Sequence, residues 1–164
     1  MVAVDDYTKF TVLGVLADSS ASTMASWFLG AIAAPFGVPA RVRVDNGTEF
    51  RGHFEVTCRL LKVEIRRIRP HAPWQNGRAE RMVRTVKGML RRVLLHSANA
   101  NWEKVLPAVM RAINATVARS TGVSPHELFY GEQPRDAASG WAMELDLPEE
   151  LGDASAKELE AYLH

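Results

Sequence analysis

The chain has 164 residues, 47% apolar and 24% charged, enough for one domain with a core of its own. Its formal charges sum to +1 and its one cysteine cannot form an internal disulfide, which excludes a disulfide scaffold and a zinc module built on paired cysteines. No apolar run reaches the roughly 18 residues of a membrane span, and the N-terminal MVAVDDYTKF lacks the basic start and cleavage-like pattern of a signal peptide. An intracellular setting, nucleus or cytoplasm, with no membrane partner is expected.

Residues 2–4 and 10–16 are apolar and β-rich, and residues 5–9 between them read as a hairpin turn. Asp18-Ser19-Ser20 offers a helix cap for residues 21–34, which Pro35-Phe36-Gly37 closes. Residues 38–44 form a strand ending at Asp45, and Asn46-Gly47 is a turn signal. Residues 50–61 fit a helix with Phe54, Cys58 and Leu61 on one face. Residues 63–68 alternate as a short strand, and RPHAPWQNG is a loop rich in breakers. A long helix follows over residues 77–95. Asn101 caps another through residue 118, with Trp102, Leu106, Val109 and Ile113 at core spacing. Ser124-Pro125 starts a short helix through residue 130. The order β-β-α-β-α-β-α-α predicts an α/β domain of helices packed on a mixed sheet. Residues 1–135 form this domain, and residues 136–164 are an acidic tail or linker.

The small net charge hides an asymmetry. Residues 41–92 hold fourteen Lys/Arg against five Asp/Glu, and residues 132–164 hold two against nine. A basic middle suits a polyanionic partner, or simply a solvated surface. Arg66, Arg67 and Arg69 are dense enough for phosphate contact, with a solvated strand edge as the alternative. Trp74 in the following loop either stacks on a base or packs beneath the loop.

Two carboxylates stand out. Asp45 lies at the C-terminal end of an apolar strand, the edge of an α/β sheet where ligand and metal sites gather. Alone, Asp-Asn-Gly is also an ordinary turn. Glu80 sits at the start of the long helix. At 100° per residue Val83, Val86, Met89, Leu90, Val93 and Leu94 cover one arc, while Glu80, Arg84, Lys87 and Arg91 share another. Glu80 and Arg84 form an i,i+4 pair worth about 0.3–0.5 kcal/mol, and Lys87 and Arg91 have no acid on that face. A carboxylate followed by a row of cations suits a groove that takes a phosphate backbone, with metal held over one phosphate. Oxygen ligands of this kind suit Mg²⁺, or Mn²⁺ in its place, and a two-metal site of this chemistry ordinarily needs three or more carboxylates.

FGVPARVRVDNGTEF, HAPWQNGRAER and NWEKVLPAVMRAINATVARSTGVSPHELFYGEQPR, in this order, resemble the integrase catalytic core of long-terminal-repeat retrotransposons of the gypsy type, relatives of retroviral integrases. The resemblance runs over residues 2–135. It implies an RNase H-like fold and a metal-dependent Asp-Asp-Glu enzyme that joins DNA 3′ ends to a target strand. By motif, Asp45 resembles the second catalytic aspartate and Glu80 the catalytic glutamate, while His71, Gln75 and Asn76 resemble loop positions that contact DNA. His71 and Gln75 are equally ordinary loop residues, and Asn76 is also a helix N-cap. The resemblance further implies DNA and a second copy of the chain, as dimer or higher oligomer, as partners.

The family's first catalytic aspartate lies on a first strand that precedes the segment matched by VAVDDYTKF. Asp5 and Asp6 match a later acidic position that is not a metal ligand. The first strand and its aspartate are therefore expected to be missing, and the chain to be a fragment of a polyprotein or a degenerate copy. The strands at residues 2–7 and 38–44 then lose the partner between them. Three functions follow as alternatives: a strand transferase, a non-catalytic nucleic-acid-binding remnant, and a protein-interaction domain using the helical half.

Overall fold

The computed structural model describes residues 1–68, 77–96, 101–118 and 121–135. Arg69, His71, Trp74, Gln75 and Asn76, and the acidic tail from residue 136, lie outside these. The chain divides into two compact units, one of Met1–Ala3 with Val12–Val83, the other of Val4–Thr11 with the chain from Arg84 onward.

β1 (Val2–Val4) and β2 (Thr11–Leu13) form the expected hairpin, open end in the first unit and tip in the second. α1 (Ala21–Phe28) begins where Ser20 Oγ accepts the Thr23 N–H at 3.2 Å, a cap worth about 1 kcal/mol. The rod then widens into a π-helical turn, Leu29–Ala33, before the short α2 (Ala34–Phe36). Pro35 is the cause we assign: it has no N–H to donate and its ring crowds the carbonyl one turn back, so a regular turn cannot lead into it. Gly37, at φ 85°, then turns the chain away.

β3 (Arg41–Val44), a 3₁₀ turn (Thr48–Phe50), α3 (His53–Leu60) and β4 (Glu64–Arg67) make a β-α-β unit with parallel strands. The predicted helix start at residue 50 is displaced to His53, because extended Arg51 and Gly52 at φ 52° separate the 3₁₀ turn from α3. Val42 pairs with Ile65 and Val44 with Arg67. The inward side chains meet α1 and α3 in a core of Met24, Phe28, Val44, Phe54, Cys58 and Val63. Phe54 lies edge-on to both Phe28 and Phe50, at centroid distances of 5.6 and 5.4 Å. Each such buried side chain contributes about 1.5–3 kcal/mol. Burial also pushes the Cys58 thiol up to about 11, so it stays protonated and acts as a small apolar residue.

Both strand arrangements of a mixed sheet are present, but they do not join. Among the described residues the strands form two separate pairs, β1–β2 and β3–β4. One continuous sheet needs a strand bridging β1 and β3, and no described strand takes that place. α4 (Gly77–His96) begins in the first unit and continues into the second. Val86 is buried and Val83, Met89 and Leu90 are half-buried, as the expected apolar arc requires at these four positions; the Val93 and Leu94 side chains lie outside those described.

In the second unit the hairpin tip closes on Asp5, whose Oδ2 accepts from Thr8 N at 2.6 Å, Thr8 Oγ1 at 2.8 Å and Tyr7 N at 3.1 Å. α5 (Trp102–Ala115) is capped by Asn101, and its Leu106, Val109 and Ile113 are buried as the spacing requires. Trp102 corrects the expectation: it is 44% exposed, because burial along α5 begins only at Val105. α6 (Pro125–Tyr130) starts at the Ser124 cap and ends at Gly131, φ 77°. Phe10 packs on Phe129 at 4.7 Å and on Tyr130 at 5.7 Å.

One polar contact on α5 substitutes for a strand. Asn114 Oδ1 accepts from Thr11 N and Asn114 Nδ2 donates to Thr11 O, both at 2.8 Å, with both residues buried. A side-chain amide thus satisfies a strand residue's main-chain donor and acceptor together. Asn114→Ala leaves both buried groups unpaired. It is expected to lower stability by about 2–4 kcal/mol, read from urea denaturation followed by circular dichroism.

Candidate metal and nucleic-acid site

Asp45 directly follows β3 and is exposed. Its Oδ1 accepts the Gly47 N–H at 2.9 Å, an Asx turn that fixes the carboxylate at the strand end. Asn46 Nδ2 donates to Ile68 O at 3.0 Å, tying the turn to the end of β4. Glu49 leans over Gly47: a Cβ there would collide with the Glu49 carboxylate, so the bare glycine makes room for it. Glu80 lies in the first turn of α4 and is also exposed. The two carboxylates belong to the same unit.

Arg67, expected among the phosphate contacts, is drawn inward instead. Its Nη2 donates to Glu55 Oε1 at 2.7 Å and to Phe50 O at 2.8 Å, and its Nη1 lies 3.4 Å from Asp45 O. The reason lies in strand parity: Arg67 stands opposite Val44 on the side of β3–β4 that carries the core residues. Its guanidinium reaches the polar 45–50 turn there. Glu55 was not anticipated. It stands three residues after Gly52, its Oε2 accepts the Gly52 N–H at 3.2 Å, and its other oxygen holds Arg67. An acid three residues after a helix-starting glycine is a capping signal in the sequence. Arg66 points the other way and pairs with Glu64 at 2.8 Å.

On α4 the sequence-derived row is confirmed in its exposure: Glu80, Arg84, Lys87 and Arg91 are all exposed. Exposed carboxylate oxygens at Asp45 and Glu80 are the hard donors that suit Mg²⁺. Among the described residues no three acidic, histidine or cysteine side chains converge into a metal-holding group. Asp5, which the resemblance does not make a metal ligand, has its Oδ2 taken by the hairpin turn.

The hydrogen bond from the Arg67 guanidinium holds the Glu55 carboxyl below its ordinary value of 4.5, against the opposing effect of desolvation. A depressed folded-state value means stability that is present above about pH 4.5 and lost as pH falls through the lower folded value. Glu55→Gln is expected to flatten the acid side of the melting-temperature profile below pH 4.5 relative to the unaltered chain; an unchanged profile contradicts this assignment.

No protein-family model matches the chain. Over 142 residues, 85% of the chain, it is 28% identical to the Gag-Pol polyprotein of Koala retrovirus, of which it spans only 8%. Among solved structures it superposes on the integrase catalytic core domain of HTLV-2 in complex with magnesium, trimeric form, with a TM-score of 0.67 at 19% identity, covering 78% of this chain and 82% of that one. It superposes also on a chain of the simian T-cell lymphotropic virus intasome in complex with the PP2A regulatory subunit B56 gamma. There the TM-score is 0.73 at 22% identity, covering 82% of this chain and 48% of that one. The chain is thus similar in sequence to a stretch of retroviral Gag-Pol polyproteins and shares the fold of retroviral integrase catalytic cores.

Proposed function

We propose that this chain handles DNA as the core of an integrase, with Asp45 and Glu80 as two of the carboxylates that hold a divalent metal for polynucleotidyl transfer. The observation that carries the reading is the placement of Asp45. An exposed carboxylate, fixed by Gly47 N–H, stands at the end of a parallel strand in an integrase-core fold, in the same unit as exposed Glu80. Mg²⁺ or Mn²⁺ bound there supplies charge stabilisation to the attacking and leaving oxygens of the transfer. The protein's own groups do the rest. The Asn46–Ile68 bond and the Arg67 contacts keep the Asp45 turn in place, and Arg84, Lys87 and Arg91 hold the phosphate backbone without reading sequence. Arg66, Arg69, His71, Gln75 and Asn76 extend that contact surface on this reading. The core is proposed to act as a dimer or higher oligomer, by likeness to the HTLV-2 core, which occurs in trimeric and dimeric forms.

A second reading is a nucleic-acid-binding remnant without catalysis, favoured by the want of a three-carboxylate group among the described residues. The two separate in one assay, strand transfer or end-nicking of labelled DNA with Mg²⁺ or Mn²⁺. On the catalytic reading Glu80→Gln lowers the rate by about 100-fold or more. A rate no higher in the unaltered chain than in that variant leaves the binding function alone. Arg84→Ala is expected to weaken duplex binding to a similar degree for unrelated sequences and to reduce the salt slope by about 1. A loss confined to one sequence contradicts a phosphate contact.

A further inference from the structure

Beyond Glu80, α4 carries no acidic residue through His96. Arg84, Lys87 and Arg91 are exposed on it, at spacings of three and four that set them on one face, about 10 Å along the axis from first to last. Among the described residues no side-chain hydrogen bond or ion pair engages any of the three. The β-α-β unit differs in this, because Arg41 and Arg66 pair with Glu64 and Arg67 pairs with Glu55. Like charges three and four apart on a helix repel, so the row is best satisfied with an anion along it.

The same chain carries such an anion. Residues 136–164 hold eight Asp/Glu against one lysine. Five of the eight, Glu144, Asp146, Glu149, Glu150 and Asp153, fall within ten residues that hold no Lys or Arg. The tail follows Arg135, whose carbonyl oxygen accepts from Arg111 on α5. Arg135, α5 and the cation row belong to one compact unit. The residues between that anchor and Glu144 span up to about 27 Å when extended. A folded unit of under a hundred residues has a radius of gyration of about 12 Å, so the acidic run can reach the row. Being on the same chain, it meets the row at an effective concentration on the order of 1 mM. An acidic stretch also serves as a solvated linker, extended by its own charge. That role does not call for acids gathered in one short run within reach of three unengaged cations.

We propose that residues 144–153 lie along the Arg84, Lys87 and Arg91 face of α4 when no DNA is bound, and that duplex DNA must displace them. The contact stands on charge and reach; that DNA is the competitor rests on the DNA-handling reading above. Exposed ion pairs are individually weak, so a tethered run of them fills the row without sealing it. A duplex, with one charge per about 1.7 Å of its axis, outcompetes the run once it is long enough to engage the whole row.

Two measurements on the full chain test this. The first needs no DNA. A carbodiimide activates a carboxyl group, a touching amine displaces the activated group to form an amide, and the carbodiimide leaves as its urea. In a mixture of isotopically light and heavy chains, peptide mapping is expected to find Lys87 joined to a carboxylate of residues 144–153 of its own copy. No adduct between Lys87 and that run overturns the contact, and adducts found only between light and heavy chains overturn it as an intramolecular one. The second is duplex affinity by fluorescence anisotropy at about 50 mM salt, where surface charge is weakly screened. The tail variant Glu144→Gln/Asp146→Asn/Glu149→Gln/Glu150→Gln/Asp153→Asn is expected to bind about 5- to 30-fold tighter, three exposed ion pairs no longer having to be broken. In the Arg84→Gln/Lys87→Gln/Arg91→Gln background the same change is expected to alter affinity less than about 2-fold. An equal gain in both backgrounds assigns the effect to net charge and overturns the proposal, as does no gain in the unaltered background. A chain that binds no duplex with either tail overturns the DNA-handling reading and the competition with it, while the cross-link still decides the contact.

Discussion

Arg67 fastens three pieces of chain that the backbone alone leaves apart. From the last position of β4 it reaches Glu55 at the start of α3, the Phe50 carbonyl in the 3₁₀ turn and the Asp45 carbonyl at the end of β3. The parallel strands bring β3 and β4 side by side, but strand pairing says nothing about the conformation of the eight residues between β3 and α3. The guanidinium supplies that, because its donors lie in one rigid plane and accept partners only in that plane. The direction in which Asp45 is offered is therefore a consequence of an ion pair on the core-facing side of the sheet. Glu55 is the second half of the device, since one carboxylate both starts α3 and anchors Arg67.

This changes how the basic middle of the chain is understood. Positive charge counted along the sequence looks uniform, yet it divides by strand parity into groups with different work. Arg67 is spent on contacts within the protein. Arg41 and Arg66 share Glu64 on the outside, and Arg84, Lys87 and Arg91 line an exposed helix face. Adjacent residues Arg66 and Arg67 have opposite fates because successive strand side chains leave on opposite faces.

Much of the fold was legible because its signals are local. Ser20, Asn101 and Ser124 each cap the helix that their position announces, and Gly37 and Gly131 each end one with the positive φ that glycine tolerates. The Asp45 turn and the exposed row on α4 were legible for the same reason. What escaped depends on where elements stop and what lies across from them. Trp102 has the spacing of a core residue but precedes the point where α5 becomes covered. Arg67 carries no mark of being inward-facing until the register against Val44 is known. Asn114 reads as an interruption of an apolar stripe, and its partner is 103 positions away.

That last pairing reaches beyond stability. Asn114 grips only main-chain atoms of Thr11, so it is indifferent to which side chain position 11 presents, provided that residue is not proline. Position 114 has no such latitude. A group there must offer an acceptor and a donor side by side at one reach: aspartate lacks the donor, and glutamine, one methylene longer, places both elsewhere. Across sequences that share this hairpin and helix, drift should therefore be free on the strand and held on the helix, the reverse of the usual expectation that the sheet is the rigid partner and the helix the forgiving one.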